Sequence, residues 1–367
     1  MSALPSYFVQ FLQDIRPTQN QRDECKTGHE TLRTRIHDDE SLGKIVIDTF
    51  LQGSYRRATA IRPIGDTKSD VDVIVVTNLD KSKYTPRQAM DLFIPFLDKH
   101  YKGKWEPKGR AFGISLSYVE LDLVITAAPS EVQTESWREL SQLNECDIVG
   151  ETVWKPSDSW FSESLYNLSF PSRSVTWKLE SLDIPDREAN EWDKTHPLFQ
   201  IAATWTKSRE TYQHFVNVVK AIKWWKNAQQ SDFKYPKGYP LEHLLFVSCP
   251  DGINSIAQGV VLALKDISSR YQVYTETGQV PFLPDHGVPE HNVLGRLSAE
   301  EFQEFHKRIC TAADQALDAF DETDVCESAE KWRILFGSKF PPCPNNSKQG
   351  RYTPRKEASI VPGGRFA

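Results

Sequence analysis

Apolar positions along this chain change their spacing from half to half. Residues 7–39 mix apolar and charged positions at helical intervals. Residues 44–51 then predict a strand that runs into a turn at Gly53-Ser54, and 69–77 predict a second strand ended by Asn78-Leu79-Asp80. A helix follows over 86–97, with Thr85 placed as its cap, Pro86 in its first turn and Pro95 positioned to kink or end it. Two further strands are predicted over 112–117 and 118–126. In the latter, Val119, Leu121, Leu123 and Ile125 form one apolar face, and Glu120 and Asp122 lie on the other. From 129 to about 190 the chain is polar with little periodicity, which predicts a helix or two in an irregular insertion. After His196-Pro197 the pattern turns helical, strongest over 215–225 and continuing over 239–247, 256–271, 299–320 and 329–336. Residues 341–367 are dense in Pro, Gly, Asn, Lys and Arg, and are expected to form a disordered tail. The expected division is a sheet-bearing lobe over 1–190 with a polar insertion from about 129, a helical lobe over 191–341, and a tail over 342–367.

Composition narrows the class. At 367 residues, 39% hydrophobic and 26% charged, the chain is a globular protein long enough for two lobes. Its net charge of -6 gives no support to nucleic-acid binding by the surface as a whole. No run approaches the roughly 18 apolar residues of a membrane span. The start of the chain lacks the basic region and apolar core of a signal peptide, so a cytoplasmic location is expected. The six cysteines include no C-x-x-C pair, which favours reduced thiols over a disulfide framework. The histidines avoid ligand-like spacing apart from His286 and His291, and no zinc site is expected.

The candidate chemistry lies in the second strand. Asp70 and Asp72 are two apart in a β-branched run, so both carboxylates project from one face. Aliphatic strands rarely keep two like charges on a face where both must lose water. A divalent cation resolves the conflict, and paired oxygen ligands suit Mg²⁺ handling a nucleoside triphosphate, with Mn²⁺ able to substitute. Asp122 is the third candidate acid, favoured over Glu120 by its apolar flanks. Three such acids would hold two ions. One ion would lower the pKa of an attacking 3′-hydroxyl; the other would clamp the triphosphate and the leaving pyrophosphate. Gly53 and Ser54 suit a turn whose N–H groups and hydroxyl cradle phosphates. Lys220 and Lys223, three apart on the 215–225 helix, either reach across a cleft to the triphosphate or stay as solvated positions. Trp224 and Trp225 suit a core better than a base-stacking platform, and His196 and His243 suit structural roles. Taken singly, an acid pair or a Gly-Ser dipeptide is common. Their order is specific: Gly-Ser, then the acid pair sixteen residues on from Ser54, then a lone acid about fifty later.

That order resembles the polymerase-β-like nucleotidyltransferases, and a sheet lobe followed by a helical lobe is similar to the group containing oligoadenylate synthase and cyclic GMP-AMP synthase. Phe50-Leu51-Gln52-Gly53-Ser54, Asp70-Val71-Asp72 and Val119-Glu120-Leu121-Asp122 carry the catalytic part. Lys234-Tyr235-Pro236-Lys237-Gly238-Tyr239-Pro240-Leu241-Glu242 and Leu335-Phe336-Gly337-Ser338-Lys339-Phe340-Pro341 extend it through the helical lobe. The wording looks most like the clade D enzymes among the bacterial cGAS/DncV-like nucleotidyltransferases. The resemblance implies an α+β fold, with a mixed-sheet nucleotidyltransferase lobe, a mostly helical second lobe and an active site in the cleft between them. It implies a Mg²⁺-dependent cyclic oligonucleotide synthase that turns ATP and GTP into a cyclic trinucleotide or dinucleotide second messenger in anti-phage defence. The family's metal acids fall on Asp70, Asp72 and Asp122, and its nucleotide contacts on Gln52, Gly53, Ser54, Lys223, Tyr239 and Lys220. Where the family often has a serine before the tyrosine, this chain has Gly238, which leaves that role to Lys237 or unfilled. No zinc-ligand cluster matches the animal DNA sensor, so direct nucleic-acid activation is not implied. The tail ends Gly363-Gly364-Arg365-Phe366-Ala367. Related enzymes are joined through their C-terminus to targets by a ubiquitin-transferase-like partner, which would place conjugation on Ala367; an inert end is the alternative. The product would act on a separate effector. The other functions weighed are a linear oligonucleotide synthase and a catalytically silent nucleotide-binding partner in a defence or toxin–antitoxin complex.

Overall fold

A computed structural model describes residues 3–128, 181–228 and 235–344. The polar insertion to residue 180, Lys234 and the tail from 345, with Ala367, lie outside the described residues. In chain order the elements are α1 (Pro5–Ile15), α2 (Gln19–Asp38), β1 (Val46–Gln52), α3 (Gly53–Arg56), β2 (Ser69–Thr77), α4 (Pro86–Asp91), α5 (Ile94–Tyr101), β3 (Trp105–Pro107), β4 (Phe112–Ser115) and β5 (Val119–Ile125). They continue as β6 (Leu182–Asp186), β7 (Glu191–Thr195), α6 (Pro197–Glu210), α7 (Phe215–Ala228), α8 (Gly238–Ser248), α9 (Ile256–Arg270), α10 (Gln272–Glu276), α11 (Ala299–Asp321) and α12 (Val325–Phe336).

The β-branched run of β2 lies inside a mixed sheet of order β1-β2-β5-β4-β3, antiparallel to β1 and parallel to β5. Its alternation gives two faces. Val71, Val73 and Val75 join a core with Leu32 and Ile36 of α2 and Phe96 and Leu97 of α5. Ile74 and Val76 face the other way, packed with Phe50, Val124, Leu182 and Ile184 beneath the β6–β7 hairpin. Asp70 and Asp72 belong to this second face by parity, just where its apolar cover ends. The fold therefore buries most of one sheet face and leaves a charged strip at its edge.

The helices from α7 onward, together with α1, build a separate core rich in aromatics, in which Phe8, Phe11, Trp332, Phe336 and Phe340 stack or meet edge to face. So α1 precedes the sheet in sequence yet packs with the helical half. No helix among the described residues is long and apolar enough to cross a membrane.

Several sequence expectations need correction. The helix read over 7–39 breaks at Arg16-Pro17, because the residue before proline is pushed to extended backbone; Arg16 has ψ 152°. Thr18 then starts α2 with a reciprocal cap to Gln21. The helix read over 86–97 is two, and Pro95, which lacks an N–H, sits in the first turn of α5 rather than ending α4. Residues 42–44 form a short 3₁₀ turn before β1. The sequence pattern reveals neither strand β3 nor the β6–β7 hairpin. The first is three residues on the sheet edge, and the second alternates Leu182 and Ile184 with acids inside a stretch that reads as polar. Cys326 and Cys343 are joined as a disulfide, against the expectation of reduced thiols. The chain turns at Gly337 and folds Phe340 back on Trp332, which brings the two Cα atoms to 4.9 Å.

Candidate active site

The registers of β1, β2, β5 and β4 set Gln52, Asp72, Asp122 and Gly113 in one row across the sheet, with Asp70, Glu120 and Ser115 in the row beside it. Asp70, Asp72 and Asp122, predicted to act together, therefore stand on one face of two neighbouring strands. Loss of water, then mutual repulsion with Asp72 and Asp122, pushes the Asp70 carboxyl up to about 7. Loss of water and repulsion by Asp122 push Asp72 up to about 6, against the pull of Arg57. Asp70 keeps one side open to solvent, so like charge is the sturdier of its two causes. Lys108 Nζ bonds Asp122 Oδ1, reaching over Gly113, where a side chain would meet the lysine stem. Glu120, the rival third acid, is engaged by Lys68 Nζ at 3.1 Å and by Ser115 Oγ at 2.7 Å.

Gly53 ties the turn to the acids. Its φ is +74°, a left-handed conformation, and a Cβ placed there would fall on the Asp72 carboxylate. Ser54 follows in α3 and, with Asp70, lines a cavity of about 500 Å³. Arg62, Lys68, Lys223 and Lys226 add positive charge to its wall. An oxygen-only trio of carboxylates with surplus negative charge, beside a basic cavity, fits a hard divalent cation and a polyphosphate. Among the described residues, no three His, Cys, Asp or Glu side chains are drawn together as a ready-made metal cluster.

The remaining candidates separate. Lys223 Nζ donates to Thr59 O at 3.1 Å and to Glu242 Oε1 at 3.0 Å, at the seam between the sheet and the helices. Gly238 lies beside it, its Cβ position 4.0 Å from Lys223 Nζ. Lys220 is buried and does not line the cavity; burial and nearby Arg16 push its ammonium down to about 7. Tyr239 donates to Asp285 Oδ2 at 2.7 Å, and Arg57 covers its ring at 5.2 Å. Trp224 and Trp225 are core, as expected. His196 accepts from Phe199 N at the start of α6, and buried His243 packs on His286.

The sequence pattern gives no role to three residues of this region: Lys108, Arg57 and Glu242, the last of which only closes a stretch of family resemblance. Glu242 is fully enclosed. Arg57 Nε at 3.0 Å and Thr59 Oγ1 at 2.9 Å donate to its Oε2, while Lys223 holds Oε1. Burial alone would raise this carboxyl, but Arg57 and Lys223 overcome it and hold it at about 2. The available signal was a single acid between Leu241 and Leu244-Leu245 in an apolar helix.

Known proteins resemble this chain in sequence and in fold. The Second Messenger Oligonucleotide or Dinucleotide Synthetase domain matches residues 1–128. The chain is 46% identical to the cyclic AMP-AMP-GMP synthase of Enterobacter hormaechei subsp. hoffmannii, covering 99% of this chain and 100% of that one. It is 45% identical to the probable cyclic AMP-AMP-GMP nucleotide synthase of Salmonella paratyphi B, with coverage of 99% and 100%. Among solved structures, the Bradyrhizobium diazoefficiens CD-NTase CdnG in complex with GTP overlays with a TM-score of 0.66 over 91% of this chain and 96% of that one. At 12% identity that likeness bears on the fold alone. On the full-length identity to these synthases, the chain belongs to the second messenger oligonucleotide or dinucleotide synthetases, the metal-dependent cGAS/DncV-like nucleotidyltransferases.

Proposed function

We propose that this protein condenses two ATP and one GTP into a cyclic AMP-AMP-GMP trinucleotide, with Asp70, Asp72 and Asp122 as its metal-holding acids. The observation that carries the site is the shared row of Asp72 and Asp122 beside Asp70, with Gly53 leaving room only for the Asp72 carboxylate. The choice of product is supported by the names of the full-length relatives. In each step a 3′-hydroxyl oxygen attacks the α-phosphorus of a triphosphate, the bond to the β-phosphate breaks, and pyrophosphate leaves. Mg²⁺, when bound by these acids, supplies the positive charge that favours hydroxyl ionisation and steadies the leaving pyrophosphate. Asp122, on the neighbouring strand, would favour ionisation of the hydroxyl, whose proton passes to water. Gly53 and Ser54 hold the triphosphate from the turn, and Lys223 offers it positive charge from the helical side. Gln52, Tyr239 and Lys220 are second-rank candidates, since Tyr239 is already bonded to Asp285 and Lys220 lies off the cavity.

The reading includes two lobes divided near residue 190, with α1 returned to the helical one, and a cytoplasmic place in anti-phage signalling. A separate effector would receive the product, and a ubiquitin-transferase-like partner would join Ala367 to a target. Loss of residues 363–367 without change in adducts or in-cell activity sinks that last part.

The test is incubation with four labelled nucleoside triphosphates and Mg²⁺, followed by phosphatase treatment and mass spectrometry. A resistant product with two adenylates and one guanylate, absent from the Asp70→Asn/Asp72→Asn variant, is expected. A phosphatase-sensitive chain, or no product, overturns the cyclising assignment.

A further inference from the structure

Glu242 sits where three parts of the molecule meet. Arg57 and Thr59 come from the segment just after the Gly53-Ser54 turn, Lys223 from α7, and Glu242 itself from α8. Both of its oxygens are bonded, and Arg57 and Glu242 side chains are each only 6% exposed. A guanidinium this enclosed needs a carboxylate, because leaving it unpaired costs several kcal/mol. Arg57 is bonded to Glu242, and its backbone N–H donates to Gly53 O at 3.1 Å, in the turn packed against the Asp72 carboxylate, so Asp72, one of the proposed metal acids, also lies in its field. The Tyr239 ring at 5.2 Å and the Asp285 bond to Tyr239 complete the wall against which the guanidinium rests.

We propose that Glu242 is a positioning residue that keeps the Arg57 guanidinium off Asp72, so that the Asp72 carboxylate stays available to a divalent cation. The inference rests on the assignment of Asp72 to the metal. Removing the Glu242 charge frees Arg57 to turn to the Asp72 carboxylate across the Gly53 turn, and that ion pair would compete directly with metal. Lys223 loses its acid in the same step and keeps only Thr59 O. The effect is therefore on metal affinity first and on nucleotide second, which a purely structural role for Glu242 does not produce.

The experiment measures Mn²⁺ binding to the full chain without nucleotide, by electron paramagnetic resonance of the free ion, with thermal unfolding of each variant alongside. Glu242→Gln is expected to bind Mn²⁺ about tenfold more weakly than the parent, as loss of an outer partner of a metal ligand typically does. Glu242→Asp keeps the charge but shortens the reach, and is expected to lose about threefold. The double variant Glu242→Gln/Arg57→Gln removes the competitor and should recover the parent affinity within about twofold, although its fold is less stable. Parent-like affinity in folded Glu242→Gln overturns the proposal, and so does a double variant as weak as the single one. Should Glu242→Gln not fold, parent-like affinity in Glu242→Asp overturns it in the same way. Asp72→Asn separates the two levels: if it binds Mn²⁺ normally, the acid assignment fails. If only Asp72→Asn loses the metal while both Glu242 variants are indifferent, the positioning role alone fails.

Discussion

The acid row of the sheet and Glu242 lie on two sides of the same seam, and loss of water pushes Asp70, Asp72 and Glu242 alike toward the protonated form. Their neighbours then pull them apart. Asp70 and Asp72 have each other and Asp122 for company, and they end well above the ordinary carboxylate range. Glu242 has Arg57, Lys223 and Thr59, and ends at about 2. The first set is a charge imbalance that the folded chain tolerates; the second is a charge balance that the folded chain has completed from its own residues. An incomplete balance costs stability and is retained where something else brings the missing charge. A complete one marks a joint.

The sharpest way to break this contrast is to neutralise one member of each set. Asp72→Asn should lower the rate of product formation on the order of a thousandfold, as loss of a metal ligand in the reacting centre does. In chelator, its unfolding free energy in urea should stay level or rise by about 1 kcal/mol, since a repulsion has been removed. Activity and stability then move in opposite directions. A strongly destabilised Asp72→Asn would mean that the acid row is structural after all.

At Glu242 the sign reverses. Glu242→Gln should cost about 3 kcal/mol of unfolding free energy at neutral pH, because Lys223 loses its acid and Arg57 gives up its enclosed two-partner site. The pH dependence follows from its depressed carboxyl. The stability it contributes is fully present above the unfolded value of 4.5 and is lost as pH falls through about 2. Urea midpoints of parent and variant should thus differ by a constant amount above that window and converge below it. A gap that persists unchanged into strong acid would show that shape, not charge, holds the seam.

Much of the first set was legible in sequence, and little of the second. A strand's period of two puts Asp70 and Asp72 on one face whatever surrounds them, and the apolar flanks of Asp122 mark a neighbouring strand. The need for Gly53 follows from the same local geometry, although its contact with Asp72 is tertiary. Glu242 and Arg57 are 185 residues apart, and no periodicity links them. Lys223 shows the limit most clearly. Helical spacing placed it on α7, but only the packing of α8 against the turn after β1 reveals that its ammonium is already shared. The missed hairpin has a similar cause: Leu182 and Ile184 are core only because Phe50 and Ile74 present an apolar surface to them.

The smallest effect probes the one cation that the acid row has borrowed. Lys108 reaches Asp122 from the rim with its side chain 43% exposed, so solvent screens the pair and its worth is modest. Lys108→Met should weaken the metal-free fold by under about 1 kcal/mol and tighten Mn²⁺ binding about threefold, because the ion no longer displaces an ammonium. Gly113→Ala tests the same point without removing the charge. Gly113 is the register partner of Asp122, and a Cβ there would come 2.6 Å from Lys108 Cε, so the flexible lysine must swing aside. If occupancy of the Asp122 carboxylate is what matters, the two variants should shift Mn²⁺ binding in the same direction, with Gly113→Ala the weaker. Tighter binding in Lys108→Met alone would instead assign the effect to net charge, and make Lys108 a distant contributor rather than a stand-in for the metal.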